Sequence, residues 1–177
     1  MRRLTTAIAL CAILLLSAAG CRKKNKPGTA AVQEEPAGLV TMLHTADPRG
    51  AVQLLRGFHE VEQDAWRWTA GEFAATLRVP KGAAQKGANL ILKFTVAEPS
   101  IQKFGSVSIT GKLDTSELPP EKYAAAGQAT YTREIPASAL SGESVTVSFK
   151  VDHFIPASDA DQRDLGVIVS LIGLEAK

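Results

Sequence analysis

The chain predicts an all-β domain, an antiparallel β-sandwich, carried behind an N-terminal leader and tether. Three observations predict it. After Arg49, apolar and polar residues alternate with a period of two in one run after another. Clusters of Gly, Pro, Asn, Asp and Ser part these runs, and no long stretch holds the 3.6-residue period of a helix. Such alternation belongs to an antiparallel sheet with one face on the core and the other in water. A chain of 177 residues can build one domain with a substantial core, and hardly two.

In chain order, the first element is the leader. Arg2 and Arg3 supply a positive start, and "AIALCAILLL" (7–16) an apolar centre. Ten apolar residues are too few to cross a bilayer as a helix, which needs about 20. They fit a secretory signal peptide. The leader ends in "SAAGC" (17–21), which resembles the lipobox of bacterial lipoproteins, with Ala18 where that family most often has Leu. The resemblance implies cleavage after residue 20, with the Cys21 thiol as the site of lipidation and the mature N-terminus. Each buried CH₂ of an acyl chain contributes about 0.8 kcal/mol, so several chains, palmitate among them, hold a protein firmly on a membrane. Arg22 follows where Asp commonly marks inner-membrane retention, which implies the outer membrane of the cell envelope, facing periplasm or surface. The basic run Arg22, Lys23, Lys24 and Lys26 either rests on anionic headgroups or opens a solvated linker.

Residues 21–48 are rich in Pro, Gly, Ala and charge and read as a flexible tether. Their one apolar run, "LVTML" (39–43), either belongs to the tether or adds a strand to the domain edge. The domain proper is expected over 49–177. In "GEFAATLRV", Phe73, Ala75, Leu77 and Val79 share a face, with Glu72, Thr76 and Arg78 on the other. In "NLILKFTVA", Leu90, Leu92, Phe94 and Val96 point inward, as do Val145, Val147, Phe149 and Val151 in "ESVTVSFKV". "GSVSITGKL" and "QATYTREI" are two shorter strands. "LGVIVSLIGL" is apolar on both faces and predicts a central strand covered on each side. Turn chemistry separates these runs at "VPKGAAQKGAN", "AEPS", "ELPPEKY", "IPASALSGE" and "IPASDADQ". Six or seven strands at this spacing make a jelly-roll or immunoglobulin-like sandwich, with a barrel as the competing closure. Short helical turns are expected at "DPRGAVQLL" and "PPEKYAAAG".

Charge and cysteines narrow the function. Lys and Arg number 20 against 18 Asp and Glu; removal of Arg2 and Arg3 leaves 18 against 18. A neutral mature chain has no field to draw nucleic acid. Cys11 and Cys21 are the only cysteines, so the domain has no disulfide framework and no thiol for catalysis or metal. His44, His59 and His153 show no metal spacing, and no hydrolase, zincin or phosphate-loop motif occurs. No cofactor is expected.

Two stretches remain as candidate sites. In "GFHEVEQDAWRWTAGEF", strand alternation sets Trp66 and Trp68 on one face and Arg67 on the other. The two indoles are either a platform for sugar rings, with Arg67 bonding hydroxyls, or a core cap, with Arg67 paired to a carboxylate. In "DHFIPASDADQRDLGV", Asp152, Asp159, Asp161 and Asp164 gather carboxylates that calcium would accept, but Arg163 repels a cation from their midst. A bidentate Arg163–carboxylate pair pinning the loop is the alternative, with Gly166 allowing close backbone approach. Glu60, Glu62 and Asp64 either supply the carboxylate pair of a glycosidase or, as acids at alternate strand positions, make an ordinary solvated face.

Gly57-Phe58, Arg67-Trp68, Asp161, Arg163, Leu165 and Gly166 together resemble a β-sandwich domain of bacterial envelope proteins. That domain sits beside envelope glycosyltransferases and stands alone in lipoproteins of soil bacteria such as acidobacteria. His59 stands where the pattern has an aromatic or small residue. The resemblance implies the fold and an envelope location. The expected function is a lipid-anchored, non-catalytic binding module for envelope polysaccharide, using Trp66, Arg67, Trp68, Asp161 and Arg163. Its rivals are a structural lipoprotein docking an envelope protein through a sheet edge, and a glycan-active enzyme.

Overall fold

The structure is a computed structural model that describes residues 38–177; the leader, Cys21 and the tether to residue 37 lie outside the described residues. Among the described residues ten strands form: β1 (Met42–His44), β2 (Leu54–Glu62), β3 (Trp66–Arg78), β4 (Ala88–Val96), β5 (Val107–Leu113), β6 (Ser116–Glu117), β7 (Glu121–Tyr123), β8 (Gly127–Ile135), β9 (Ser144–Val151) and β10 (Ile168–Ala176). Two short α-helices, α1 (Ala83–Lys86) and α2 (Glu98–Phe104), and two 3-10 turns, Pro48–Gln53 and Ala137–Ala139, complete the elements. None of the described helices is long and apolar enough to cross a membrane.

The strands join in the order β6-β5-β9-β3-β10-β4-β8, with β1 on β10, β2 on β3 and β7 on β5, all antiparallel. This single path curls into two facing layers because β3 serves both. Its Glu72–Arg78 half pairs with β9, while Arg67 and Trp68 pair with β10. Across the gap, Tyr131 of β8 meets Phe149 of β9 edge-on at 6.1 Å, and Phe94 of β4 meets Tyr123 of β7 at 4.9 Å. The architecture is therefore the expected sandwich.

The inward residues read from alternation fill the core. Phe73, Ala75, Leu77, Leu90, Leu92, Phe94, Val96, Val145, Val147, Phe149 and Val151 are all buried. Phe73 and Phe149, opposite each other in register, stack at 5.1 Å.

Four expectations are corrected. The folded unit begins before residue 49: Met42–His44 pairs with Gly173, Ile172 and Leu171, and Leu43 is buried. Residues 38–48 are thus part of the domain, because "LVTML" has an apolar side chain to bury and a free edge of β10 to join. The "PPEKYAAAG" stretch is not a helical turn; Glu121–Tyr123 pairs with Val107–Ile109 as β7. The helix α2 lies in and beyond "AEPS", with Pro99 in its first turn and Gly105 closing it in the left-handed region. Finally, β10 is central, between β4 on one side and β1 and β3 on the other, but it is covered on both faces only over Leu171–Leu174, where Met42 lies over Gly173. At Ile168 and Ser170 its outer face is only half-buried.

Candidate functional site

That partial cover opens a groove. On β4 the core-facing set is Leu90, Leu92, Phe94 and Val96, so Lys93 and Thr95 point outward. On β8, buried Tyr131 leaves Gln128 and Thr130 outward, and on β10, buried Val169 leaves Ile168 and Ser170 outward. Register then lines these up. Trp68 stands opposite Ile168, Ile168 opposite Thr95, and Thr95 opposite Gln128. Beside that row, Lys93 stands opposite Thr130. Trp66 lies two residues before Trp68 and forms the wall at the β3 end. The result is an open groove of about 480 Å³ whose lining includes Trp66, Ile168, Ser170, Lys93, Thr95, Gln128 and Thr130. Its size falls within the range of small-ligand sites, roughly 300–1,000 Å³.

Both tryptophans are half-buried, neither core nor fully exposed. Their rings meet edge to face, 6.5 Å apart and 84° to one another. Alternation placed them together correctly, but perpendicular rings cannot make one flat platform. They make a corner, in which Trp66 lines the groove and Trp68 braces it. A single indole flank still offers a broad apolar surface for the C–H face of a sugar ring.

Arg67 faces the other way, as expected, and its guanidinium bonds backbone carbonyls. Its Nε donates to the Thr45 carbonyl at 2.7 Å and one terminal nitrogen to the His59 carbonyl at 2.8 Å. It ties the chain after β1 to β2 and β3, a positioning role beneath the Trp wall. Thr45 is itself buried, and its hydroxyl donates to the Val169 carbonyl.

The Asp-rich loop is pinned rather than metal-binding in form. Arg163 makes a bidentate pair with Asp161, at 2.9 and 2.8 Å, and donates to Glu62 at 2.8 Å. The Arg163 side chain, then its backbone N–H, holds the Asp161 carboxyl down to about 2. Asp164 accepts from the Ala157 N–H, and its carbonyl meets His59 Nε2 at 2.7 Å. Asp152 accepts from the Ser108 N–H. Asp161, Asp164 and Asp152 thus have separate partners, and among the described residues no group of three potential metal ligands converges. Gly166 does allow close approach: its N–H donates to the Thr69 carbonyl at 2.6 Å, and a Cβ there would stand 2.6 Å from the Ala70 carbonyl oxygen. Of the acids proposed as a glycosidase pair, Glu62 is held by Arg163 and Asp64 sits in the β2–β3 turn; none lines the groove.

Asp161 and Arg163 therefore support the Trp corner through Glu62, which stands opposite Trp66 in register. Lys93, Thr95, Gln128, Thr130, Ile168 and Ser170 are the residues missed from sequence. Lys93 and Thr95 were legible as outward strand positions, Ile168 and Ser170 fell in a run read as covered on both faces, and nothing local shows that β4, β8 and β10 lie side by side.

No protein-family model matches the chain, and no curated protein matches it in sequence. Among solved structures, it is similar to a family GH115 4-O-methyl-α-glucuronidase with specificity for decorated arabinogalactans, at TM-score 0.49 and 14% identity. That likeness covers 78% of this chain and only 18% of the glucuronidase. A CBM4 module gives TM-score 0.34 and 10% identity over 81% of this chain and 92% of the module. The xylan-binding module CBM15 gives 0.35 and 13% over 78% and 97%. No groove residue is identified through these likenesses.

Proposed function

We propose that the protein is an envelope lipoprotein displaying a non-catalytic carbohydrate-binding β-sandwich. The observation that carries the binding half is the groove across β10, β4 and β8, walled by Trp66 and floored by Ile168 with Thr95, Gln128, Thr130, Ser170 and Lys93. Sugar rings present apolar C–H faces and hydroxyl edges. The indole and Ile168 suit the former, and the amide and hydroxyl side chains suit the latter. An open floor of short polar side chains also suits a chain that passes through, as in a polysaccharide, rather than a ligand enclosed on all sides.

Affinity electrophoresis in gels cast with envelope polysaccharides tests this. The wild-type protein should be retarded, and Trp66→Ala should bind at least about tenfold more weakly, since buried Trp anchors dominate such interfaces. Equal mobility of both proteins in every gel would remove the reading.

The anchor rests on "SAAGC". Radiolabelled palmitate should enter the wild-type protein in its bacterial host and not Cys21→Ala; label retained by Cys21→Ala would remove the anchor from the proposal.

A further inference from the structure

The groove has an electrostatic asymmetry that its shape alone does not require. Among its lining residues there is one charge, the ammonium of Lys93, and no carboxylate. The outward neighbours of Lys93 are uncharged on every side: Ile91 and Thr95 along β4, Thr130 across on β8, and Ser170 on β10. No described residue forms an ion pair with it. Lys150 and Lys177, by contrast, each pair with an acid, Lys150 with Glu72 at 3.4 Å and Lys177 with Glu134 at 2.8 Å. The outer face of the opposite layer shows the contrast. Its concavity of about 440 Å³ sets Arg56, Lys112 and Lys150 against Glu72, Asp114 and Glu117, three charges of each sign.

Resting on the carbohydrate reading above, we propose that the groove selects acidic glycans, and that Lys93 reads the anionic substituent. An exposed lysine with no carboxylate beside it in a ligand floor supplies a positive potential that favours a bound anion. The substituent is a carboxylate or a sulfate on a sugar ring. A lysine acts as a point charge and accepts either, whereas a planar Arg fork would favour bidentate geometry. Neutral glycans still engage Trp66, Ile168 and the hydroxyl and amide groups, so charge adds preference to a binding mode that does not depend on it.

The test uses matched probes and the full-length protein. Polygalacturonate, alginate and hyaluronan are each compared with their carboxyl-reduced forms, and chondroitin sulfate with its desulfated form, by affinity electrophoresis. The wild type should bind at least one acidic polymer about fivefold more tightly than its neutral counterpart, as a solvent-exposed ion pair allows, and the gap should close as salt rises. The pair that shows the gap tells carboxylate from sulfate. Lys93→Gln should bind both members of that pair alike. Lys93→Glu should prefer the neutral one. Equal wild-type affinity within every pair, or a preference that survives in Lys93→Gln, overturns the selection while leaving carbohydrate binding intact. Failure to bind any probe, acidic or neutral, overturns both.

Discussion

Arg163 is a single residue that holds two elements in place. Its fork joins Asp161 in its own loop and Glu62 at the end of β2, so the loop before β10 cannot lift from the strand that backs Trp66. All three side chains are about a third exposed, so solvent and salt screen the attraction. Its pH dependence has a definite sign. Asp161 has a carboxyl held down to about 2 from its ordinary 3.8, first by the Arg163 side chain. A depressed carboxylate stabilises the fold above its unfolded pKa, and that contribution is lost as pH falls from about 4 toward about 2. Arg163→Ala should therefore lower Tm by a few degrees at neutral pH, with the difference from wild type shrinking below about pH 4 and at high salt. Thermal melts across that range decide it; a gap independent of pH would show that Arg163 acts through packing instead. Arg67 differs in kind, because its partners are carbonyls that do not titrate in this range.

At the scale of elements, most of what was legible came from alternation. The inward faces of β3, β4 and β9 could be read residue by residue, because a period of two leaves no choice of side once one face must be apolar. The short elements were harder. Strand β1 has three residues and β7 has three, too few for a pattern, and both exist because a neighbouring edge stood open. Likewise "PPEKY" carries turn residues and a helix-forming tail, and pairing with β5 overrides that local preference. The β2–β3 pair slips register between Arg56 and Phe58, where Gly57 has φ +75°; a Cβ there would collide with the Glu72 carbonyl. That glycine could be singled out from sequence, but the reason for it could not, since the reason lies fifteen residues away. The candidate site divides the same way. Trp66 and Trp68 stood out as rare residues at strand spacing, and Arg163 as a cation among acids. Lys93, Gln128 and Thr130 looked like any solvated strand face. Only the pairing of β4 with β8 and β10, which no local signal encodes, turns them into a floor.

For the molecule as a whole, the coupling of the two layers depends on Tyr131. Its ring is fully buried on β8, packs edge-on against Phe149 in the facing layer, and carries the Arg133 guanidinium 4.1 Å from its centroid. Burial raises its pKa, so the phenol keeps its proton and can both donate and accept. It donates to the Pro119 carbonyl at 2.9 Å and accepts from the Gly111 N–H of β5 at 3.1 Å. Removing the hydroxyl affects the two partners unequally. The Pro119 carbonyl keeps the Arg133 Nε donor at 2.9 Å, whereas the buried Gly111 N–H loses its acceptor. An orphaned buried donor costs about 1–3 kcal/mol, so Tyr131→Phe should reduce the free energy of urea unfolding by that amount with an unchanged slope. Tyr123 supplies the internal comparison. Its hydroxyl makes a long, exposed bond of 3.4 Å to the Thr130 carbonyl and meets the partly exposed Glu121 carboxylate, partners that water can serve instead, so Tyr123→Phe should shift stability by less than about 0.5 kcal/mol. Equal losses in the two variants would mean that the Tyr131 hydroxyl does not join the layers. The groove lies on the outer face of the layer that contains β8, with Gln128 and Thr130 on the same strand as Tyr131. Loss of the bridge should therefore loosen the floor from behind without touching any residue that lines it.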